Sequence, residues 1–268
     1  MSTPGRPKGE YRSAQHEGNP MNPTLLITGG SRGIGAATAR LAAARGWDCA
    51  INYTRDEAAA QAVAADVRAA GRRALVLRAD VGVEADVVAM FATLDREWGA
   101  PAGLVNNAGI VDVAARLDEM APGRIERMFA INVFGSLWCA REAVRRMSTR
   151  HGGRGGVIVN QSSAAARLGA AGYYLDYAAS KGAIDVFTLG LAREVAAEGI
   201  RVNAVRPGII ETDIHASGGQ PDRARQMAPL VPMQRSGTAE EVAEAICWLL
   251  SDASSYTTGS VLDVTGGR

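Results

Sequence analysis

Short runs of β-branched and aliphatic residues alternate with Ala-rich amphipathic stretches from residue 24 to the end of the chain, and this alternation limits the possible folds more than any other feature. Strand-like runs at 24–28, 48–53, 74–79, 103–106, 156–162, 200–206 and 260–264 are separated by helix-like stretches at 33–45, 56–70, 84–98, 124–149, 177–197 and 239–251. The strand-like runs are apolar throughout, not at every second position, so both faces of their sheet must be covered. Strict alternation of the two element types then requires an α/β fold with a doubly wound parallel sheet. Ligands are expected at the carboxyl ends of its strands.

At 268 residues, 47% of them apolar, the chain suits one well-buried domain, expected over 23–268, and is short for two large ones. Residues 1–22 are polar, hold Pro and Gly and show no period, so they read as a disordered N-terminal extension outside the fold. No run approaches the roughly 20 apolar residues of a membrane span. The N-terminus also lacks a signal-peptide pattern, which leads to the expectation of a soluble cytoplasmic protein without a membrane partner. A formal charge of +1 and the absence of a basic stripe interleaved with aromatics argue against nucleic acid, and the arginines of 141–150 read as a solvated helix face. Cys49, Cys139 and Cys247 form no CxxC pair and read as core residues, while His16, His151 and His215 are too scattered to suggest a metal site.

Three segments carry chemistry. The first strand runs into Thr28-Gly29-Gly30-Ser31-Arg32-Gly33-Ile34-Gly35 and then a helix. Glycines at 29, 33 and 35 allow a tight turn and close approach of a pyrophosphate to the helix start. The second segment is Tyr177-Ala178-Ala179-Ser180-Lys181. Only two lysines occur against 27 arginines, the other being Lys8 in the N-terminal extension. Lysine is a compact, titratable cation where arginine is a wide fork that stays charged. At i and i+4, Tyr177 and Lys181 share a helix face, as a catalytic pair or as a surface cation packed along a ring. The third segment, 207–238, is a long stretch rich in Gly, Pro, Asp and Gln at the sheet's carboxyl edge, a functional lid or a plain surface insertion.

In their order these segments resemble the short-chain dehydrogenase/reductase family, and within it the 3-oxoacyl-carrier-protein reductase and glucose dehydrogenase-like branch. The resemblance covers 24–267. It rests on the TGxxxGxG turn, Asp80-Val81, Asn106-Asn107-Ala108-Gly109, Asn132, Ser163, Tyr177-x-x-x-Lys181, Pro207-Gly208 with Thr212, and Thr258-Gly259. It implies a seven-stranded Rossmann-like sheet, a homotetramer or dimer, and an NAD(P)(H)-dependent oxidoreductase that interconverts a small-molecule carbonyl and an alcohol. The implied catalytic residues are Asn132, Ser163, Tyr177 and Lys181, with Asn132 holding a relay water through its backbone. The implied cofactor residues are Gly29, Ser31, Arg32, Gly33, Ile34 and Gly35 at the phosphates, and Asn52, Tyr53 and Arg55 at the second strand end. Asp80 with Val81 would take the adenine, and Asn107, Ala108 and Gly109 the ribose-phosphate side. Pro207, Gly208, Ile210 and Thr212 would cover the nicotinamide, to which Tyr177 and Lys181 would be adjacent. Turn and strand-end capping remains the alternative for the asparagines, and a helix N-cap for Asp80.

One position departs from the family pattern. The serine commonly stands thirteen residues before the tyrosine, where this chain has Ala164. An inserted residue in 164–176 leaves Ser163 as the oxyanion donor, with Ser162 as the alternative. Arg167, Tyr173, Tyr174 and Asp176 of that loop read as pocket residues, although packing or a subunit contact would equally explain the tyrosines. The second strand ends Ile51-Asn52-Tyr53-Thr54-Arg55 with no acid before Asp56. An acid there would bind the ribose hydroxyls of NAD(H), so its absence favours NADP(H), with Arg32 and Arg55 available to the 2′-phosphate or simply exposed. A phenol of ordinary pKa near 10 needs about 4 kcal/mol of phenolate stabilisation to act as a base at neutral pH. One cation about 4 Å away supplies that at an effective dielectric near 20, so Lys181 and an oxidised nicotinamide are expected to lower Tyr177. The competing functions are an NAD-linked sugar or polyol dehydrogenase on the same fold, and a nicotinamide-dependent sensor without turnover.

Overall fold

A computed structural model describes residues 22–214 and 218–268. The extension read over 1–22 therefore falls, up to residue 21, outside the described residues, as do His16 and His215. Seven strands, β1 (Thr24–Ile27), β2 (Asp48–Tyr53), β3 (Ala74–Arg78), β4 (Gly103–Asn106), β5 (Gly156–Gln161), β6 (Ile200–Pro207) and β7 (Val261–Val264), form one sheet. Their order is β3-β2-β1-β4-β5-β6-β7, and every pairing is parallel. The sheet winds outward in both directions from the β1/β4 pair. The connections on either side of that point leave in opposite senses, which opens a crevice above the carboxyl ends of the two strands.

Neighbouring residues of a strand point to opposite faces, which explains why the runs are continuously apolar. Leu25, Ile27, Ile51 and Val159 pack into one core against helices α1 (Gly33–Ala44), α2 (Glu57–Ala69) and a later helix, Ala239–Leu250. Leu26, Ala50, Leu104 and Ile158 pack into the other, against α3 (Glu84–Trp98) and the helices from the second half of the chain. Burying one such Leu or Ile contributes roughly 1.5–3 kcal/mol. On α1 the buried face is small (Ala36, Ala39, Ala42 and Ala43), so Ala239–Leu250 can lie close across it. All three cysteines are buried in these cores without disulfides. Burial pushes the Cys49 and Cys247 thiols up to about 12, which keeps them protonated and poorly nucleophilic.

The helix expected over 124–149 is in fact three pieces: α4 (Pro122–Phe129), a π-helical turn (Ala130–Phe134) and α5 (Gly135–Met147). The wider turn shifts the face that α4 presents relative to α5 and directs the Asn132 side chain inward, where it is fully buried and hydrogen-bonded. Of the arginines of 141–150, Arg145 and Arg150 are exposed and Arg141 is half-exposed, as a solvated face requires, and several also form ion pairs. Arg141 pairs with Glu84, Arg146 with Asp95 and Glu142, and the Arg146 guanidinium lies over the Phe91 ring.

After β5 come α6 (Ala165–Leu168) and α7 (Leu175–Val195). The stretch expected as a long loop, 207–238, is partly ordered. It contains α8 (Arg223–Met227), and its two ends join in a short parallel bridge between Ile210 and Gly237 before α9 (Ala239–Leu250). Thr238 and Glu241 cap α9 reciprocally.

Candidate active site

The glycine turn is fixed from below by two asparagines. Asn52 Oδ1 accepts the Gly29 amide at 3.1 Å, and its Nδ2 donates to the Leu77 and Ala79 carbonyls at 3.2 and 3.1 Å. Asn107 Nδ2 donates to the carbonyls of Thr28 and Gly29 at 2.8 and 2.9 Å. Thr28 Oγ1 accepts the Asn107 and Ala108 amides, both at 3.0 Å. Gly29 and Gly33 adopt φ of 60° and 53°, the left-handed region that favours glycine. A Cβ at Gly35 would lie 2.5 Å from the Gly29 carbonyl oxygen, so only glycine fits there.

Above this turn α1 begins without a side-chain cap and without an acid in its first turn, whereas Asp56 caps α2 and Thr238 caps α9. Those uncapped amides, behind a turn that is left-handed at Gly29 and Gly33 and too close at Gly35 for a Cβ, fit a pyrophosphate. Thr212 of the segment after β6 stands directly over the turn, since a Cβ at Gly33 would meet its methyl at 3.4 Å. Gly208, next to Pro207, lies so close to Thr265 that a Cβ would approach Thr265 Cα to 2.8 Å.

On the adenosine side the expected residues divide by what remains free. The Asn52 side chain is wholly engaged within the protein, so it positions the turn and does not itself face a ligand. Tyr53, Ile34 and Val81 are buried in the cores. Ser31 is half-buried on the turn, and Ile210 is buried at its bridge to Gly237. Arg32 and Arg55 are exposed and have no ion-pair partner among the described residues. Asp80 does not cap α3, whose N-cap is Val83. Its Oδ1 accepts the Gly82 amide at 2.9 Å and its Oδ2 the Arg127 guanidinium at 2.7 Å. Each carboxylate oxygen can accept a further hydrogen bond.

On the other side of the crevice Asn132 of the π-helical turn and Lys181 of α7 converge on Gly109. A Cβ there would lie 3.4 Å from both Asn132 Oδ1 and Lys181 Nζ. Asn132 Oδ1 accepts the Ile110 amide at 2.8 Å, and its Nδ2 donates to the Ile110 carbonyl at 3.0 Å and to Ser180 Oγ at 3.2 Å. Lys181 is buried, which removes the reading of a surface cation, and its Nζ donates to the Gln161 carbonyl at 2.7 Å. It stands 5.7 Å from the centre of the Tyr177 ring. Ser163 hydrogen-bonds the Tyr177 phenol. Ser162, the alternative, is buried and donates instead to the Lys181 carbonyl at 3.2 Å.

Burial raises Tyr177 above its ordinary pKa, and the Ser163 hydrogen bond opposes this only in part. This burial works against the lowering expected from Lys181 and an oxidised nicotinamide together. Desolvation of the phenolate dominates, and the ammonium donates its hydrogen bond to the Gln161 carbonyl. Burial also pulls Lys181 down to about 8, against the opposing charge of Asp185. At neutral pH the group facing the crevice is therefore a protonated phenol with a hydroxyl donor beside it, an arrangement able to donate a proton to an oxygen and stabilise charge on it.

The residues of 164–176 are held by partners that the sequence did not indicate. Arg167 pairs with Asp263 of β7. Asp176, almost fully buried, accepts Arg124 Nε at 2.8 Å and Nη2 at 3.2 Å while also accepting the Tyr177 amide at 2.9 Å. The Arg223 guanidinium of α8 lies 5.8 and 5.2 Å from the ring centres of Tyr173 and Tyr174, so these tyrosines tie the segment after β6 to the loop before α7. Thr28, Gln161 and Arg127 also contribute to the site. Of these only Thr28, the first residue of the glycine turn, stood inside a recognisable motif.

The family model described as enoyl-(acyl carrier protein) reductase matches residues 29–268. The chain is 54% identical over 243 residues to the uncharacterized oxidoreductase YgfF of Escherichia coli (strain K12), covering 91% of this chain and 98% of that one. Among solved structures it is similar to 3-ketoacyl-(acyl-carrier-protein) reductase from Brucella melitensis complexed with NADH, with a TM-score of 0.84, 32% identity and coverage of 92% and 98%. It is as similar to a blue fluorescent protein from a metagenomic library in complex with NADPH, with a TM-score of 0.83, 34% identity and coverage of 91% and 97%. The parallel seven-stranded sheet agrees with these matches, and the chain belongs to the short-chain dehydrogenase/reductase family of oxidoreductases acting on alcohol or carbonyl groups.

Proposed function

We propose that the protein is an NADP(H)-dependent oxidoreductase that interconverts a small-molecule carbonyl and a secondary alcohol, working within a single domain over 23–268. The observation that carries this reading is the convergence of Asn132, Ser163, Tyr177 and Lys181 beside the glycine turn, since a protein that only bound a nucleotide would need none of their proton chemistry. When bound, the nicotinamide supplies or accepts the hydride. In the reductive direction Tyr177 donates its phenolic proton to the carbonyl oxygen. Ser163 donates a hydrogen bond to the same oxygen as negative charge grows there. Lys181 places a cation under the phenol and passes protons to it, and Asn132 holds the turn that brings Ile110 and Ser180 together beside Lys181. Gly29, Ser31, Gly33 and Gly35 receive the phosphates. Asp80 takes the adenine, Asn107, Ala108 and Gly109 line the ribose-phosphate side, and Pro207, Gly208, Ile210 and Thr212 cover the nicotinamide.

The related structures hold NADH in one case and NADPH in another, so cofactor preference rests on this chain's own residues. No acid ends β2, and two arginines without ion-pair partners among the described residues, Arg32 and Arg55, flank the place where a 2′-phosphate would lie. Charge-assisted hydrogen bonds to a phosphate are strong and favour arginine. NADPH oxidation against a panel of aldehydes and ketones tests the reading as a whole. Its kcat/KM should exceed that with NADH by about tenfold or more, roughly 1.4 kcal/mol. Arg32→Ala with Arg55→Ala should erode the ratio, and equal efficiencies in the parent would remove the NADP(H) preference. No turnover on any carbonyl would favour a sensor.

The reading extends to a cytoplasmic homotetramer or dimer. Phe134 and Leu189 are about half exposed on α5's leading edge and α7, with Val186 more so, and Phe134 and Trp138 form an aromatic pair beside them. Ile184 of the same helix points into the core instead. Light scattering should find a tetramer or dimer of the 28.0 kDa chain. A monomer at micromolar concentration would contradict this.

A further inference from the structure

One partly buried carboxylate next to the candidate active site has no part in the chemistry described so far. Asp185 follows Lys181 by four residues on α7, so the two side chains share a helix face. Its Oδ2 accepts Arg206 Nε at 3.0 Å and Nη2 at 2.9 Å from β6. Its Oδ1 is buried and accepts no hydrogen bond. Arg206 in turn reaches Asp263 of β7 at 3.5 Å, and Asp263 pairs with Arg167 of α6. Charges thus alternate from Arg167 through Asp263, Arg206 and Asp185 to Lys181.

We propose that Asp185, clamped by Arg206, is a positioning residue that acts as the counter-anion of the buried Lys181 and keeps its ammonium charged beside Tyr177. The inference rests on the proposed catalytic role of that pair. A cation stripped of water loses its proton readily unless an anion stands near. Among the described residues the other elements packed around Lys181 supply no second anion. From β5 come the neutral Gln161 carbonyl and Ser163, and from the π-helical turn Asn132. From α4 comes Arg124, already paired with Asp176, and on the same helix lies the protonated Tyr177. A free carboxylate oxygen left unsatisfied in a buried place is costly, and a charge partner on the same helix face gives it a reason to be there.

The two-lysine composition allows a direct test that does not depend on turnover. With Lys8→Arg as background, Lys181 is the sole lysine, and isotope-labelled ε-carbon NMR follows its titration alone. The parent should titrate near 8. Asp185→Asn, which keeps size and can still accept from Arg206, should move the midpoint down by about half a unit or more, and Asp185→Glu should restore it. General loosening would admit water and move the midpoint up, so the downward direction is specific to loss of the anion. An unchanged or raised midpoint in folded Asp185→Asn overturns the proposal. Should that variant not fold, Arg206→Gln removes the competing cation and should raise the midpoint, and no change or a fall overturns the proposal equally. A parent that reduces no carbonyl would end the reductase reading while leaving this titration decisive for Asp185.

Discussion

Tyr177→Phe should lower the turnover of carbonyl reduction by at least about a hundredfold, near 2.7 kcal/mol in the barrier, with the protein folded and still binding NADPH. The ring stays where it packs, beside Lys181 and between Asp176 and Ala178 at the start of α7, so the fold loses little. What disappears is the hydroxyl that Ser163 hydrogen-bonds and that burial keeps protonated. A positioned general acid contributes roughly a hundredfold to ten-thousandfold, and neither neighbour replaces it: Ser163 is a far weaker acid, and the Lys181 ammonium is engaged with the Gln161 carbonyl. Steady-state kcat at saturating NADPH, alongside cofactor binding followed by nicotinamide fluorescence, checks both halves. Loss of binding in step with loss of turnover would mean that the tyrosine shapes the cofactor site and does not serve as its acid.

The second large effect is expected at Lys181→Arg, with turnover again reduced by about a hundredfold or more. Conservation of charge does not help. The ammonium fits between the Gln161 carbonyl and Gly109, where even one added Cβ would come within 3.4 Å, and a planar guanidinium needs more width. Nor can arginine release and regain a proton, whereas burial brings Lys181 to about 8. The sign of the pH effect follows. Burial lowers the lysine, so the charged form is complete below 8 and is lost as pH rises through it. The parent's kcat/KM for reduction, which reports groups of the free protein, should fall over that interval. Tyr177 adds no limb there, because its phenol is raised above its ordinary value. Combining Tyr177→Phe with Lys181→Arg should cost far less than the sum of the two, since both changes interrupt one proton transfer.

The strands, the glycine turn and the Tyr177-x-x-x-Lys181 spacing were legible in the sequence because each is local: a run, a turn or one helical repeat. The choice of Ser163 over Ser162 was legible only as two options. It is decided by strand geometry, which turns Ser162 toward the Lys181 carbonyl and Ser163 toward the phenol. The break in the helix at Asn132 left no propensity signal, for the π-helical turn is imposed by that side chain's bonds to Ile110 and Ser180 from other elements. The Arg124 and Asp176 pair joins residues 52 apart in the chain, and Asp185 with Arg206 joins residues 21 apart. No spacing rule reaches either pair. Beside Tyr177 the sequence showed the cation four residues away, but not the burial of the phenol, which depends on how the whole chain packs.

The account turns on Lys181 acting in the proton transfer and not merely supplying charge. The most direct measurement is the single-turnover rate of carbonyl reduction by folded Lys181→Arg protein saturated with NADPH, in which binding and product release no longer contribute. A rate lower than the parent's by about a hundredfold, with cofactor still bound, is the predicted result, and a rate within a few-fold of the parent would contradict the account.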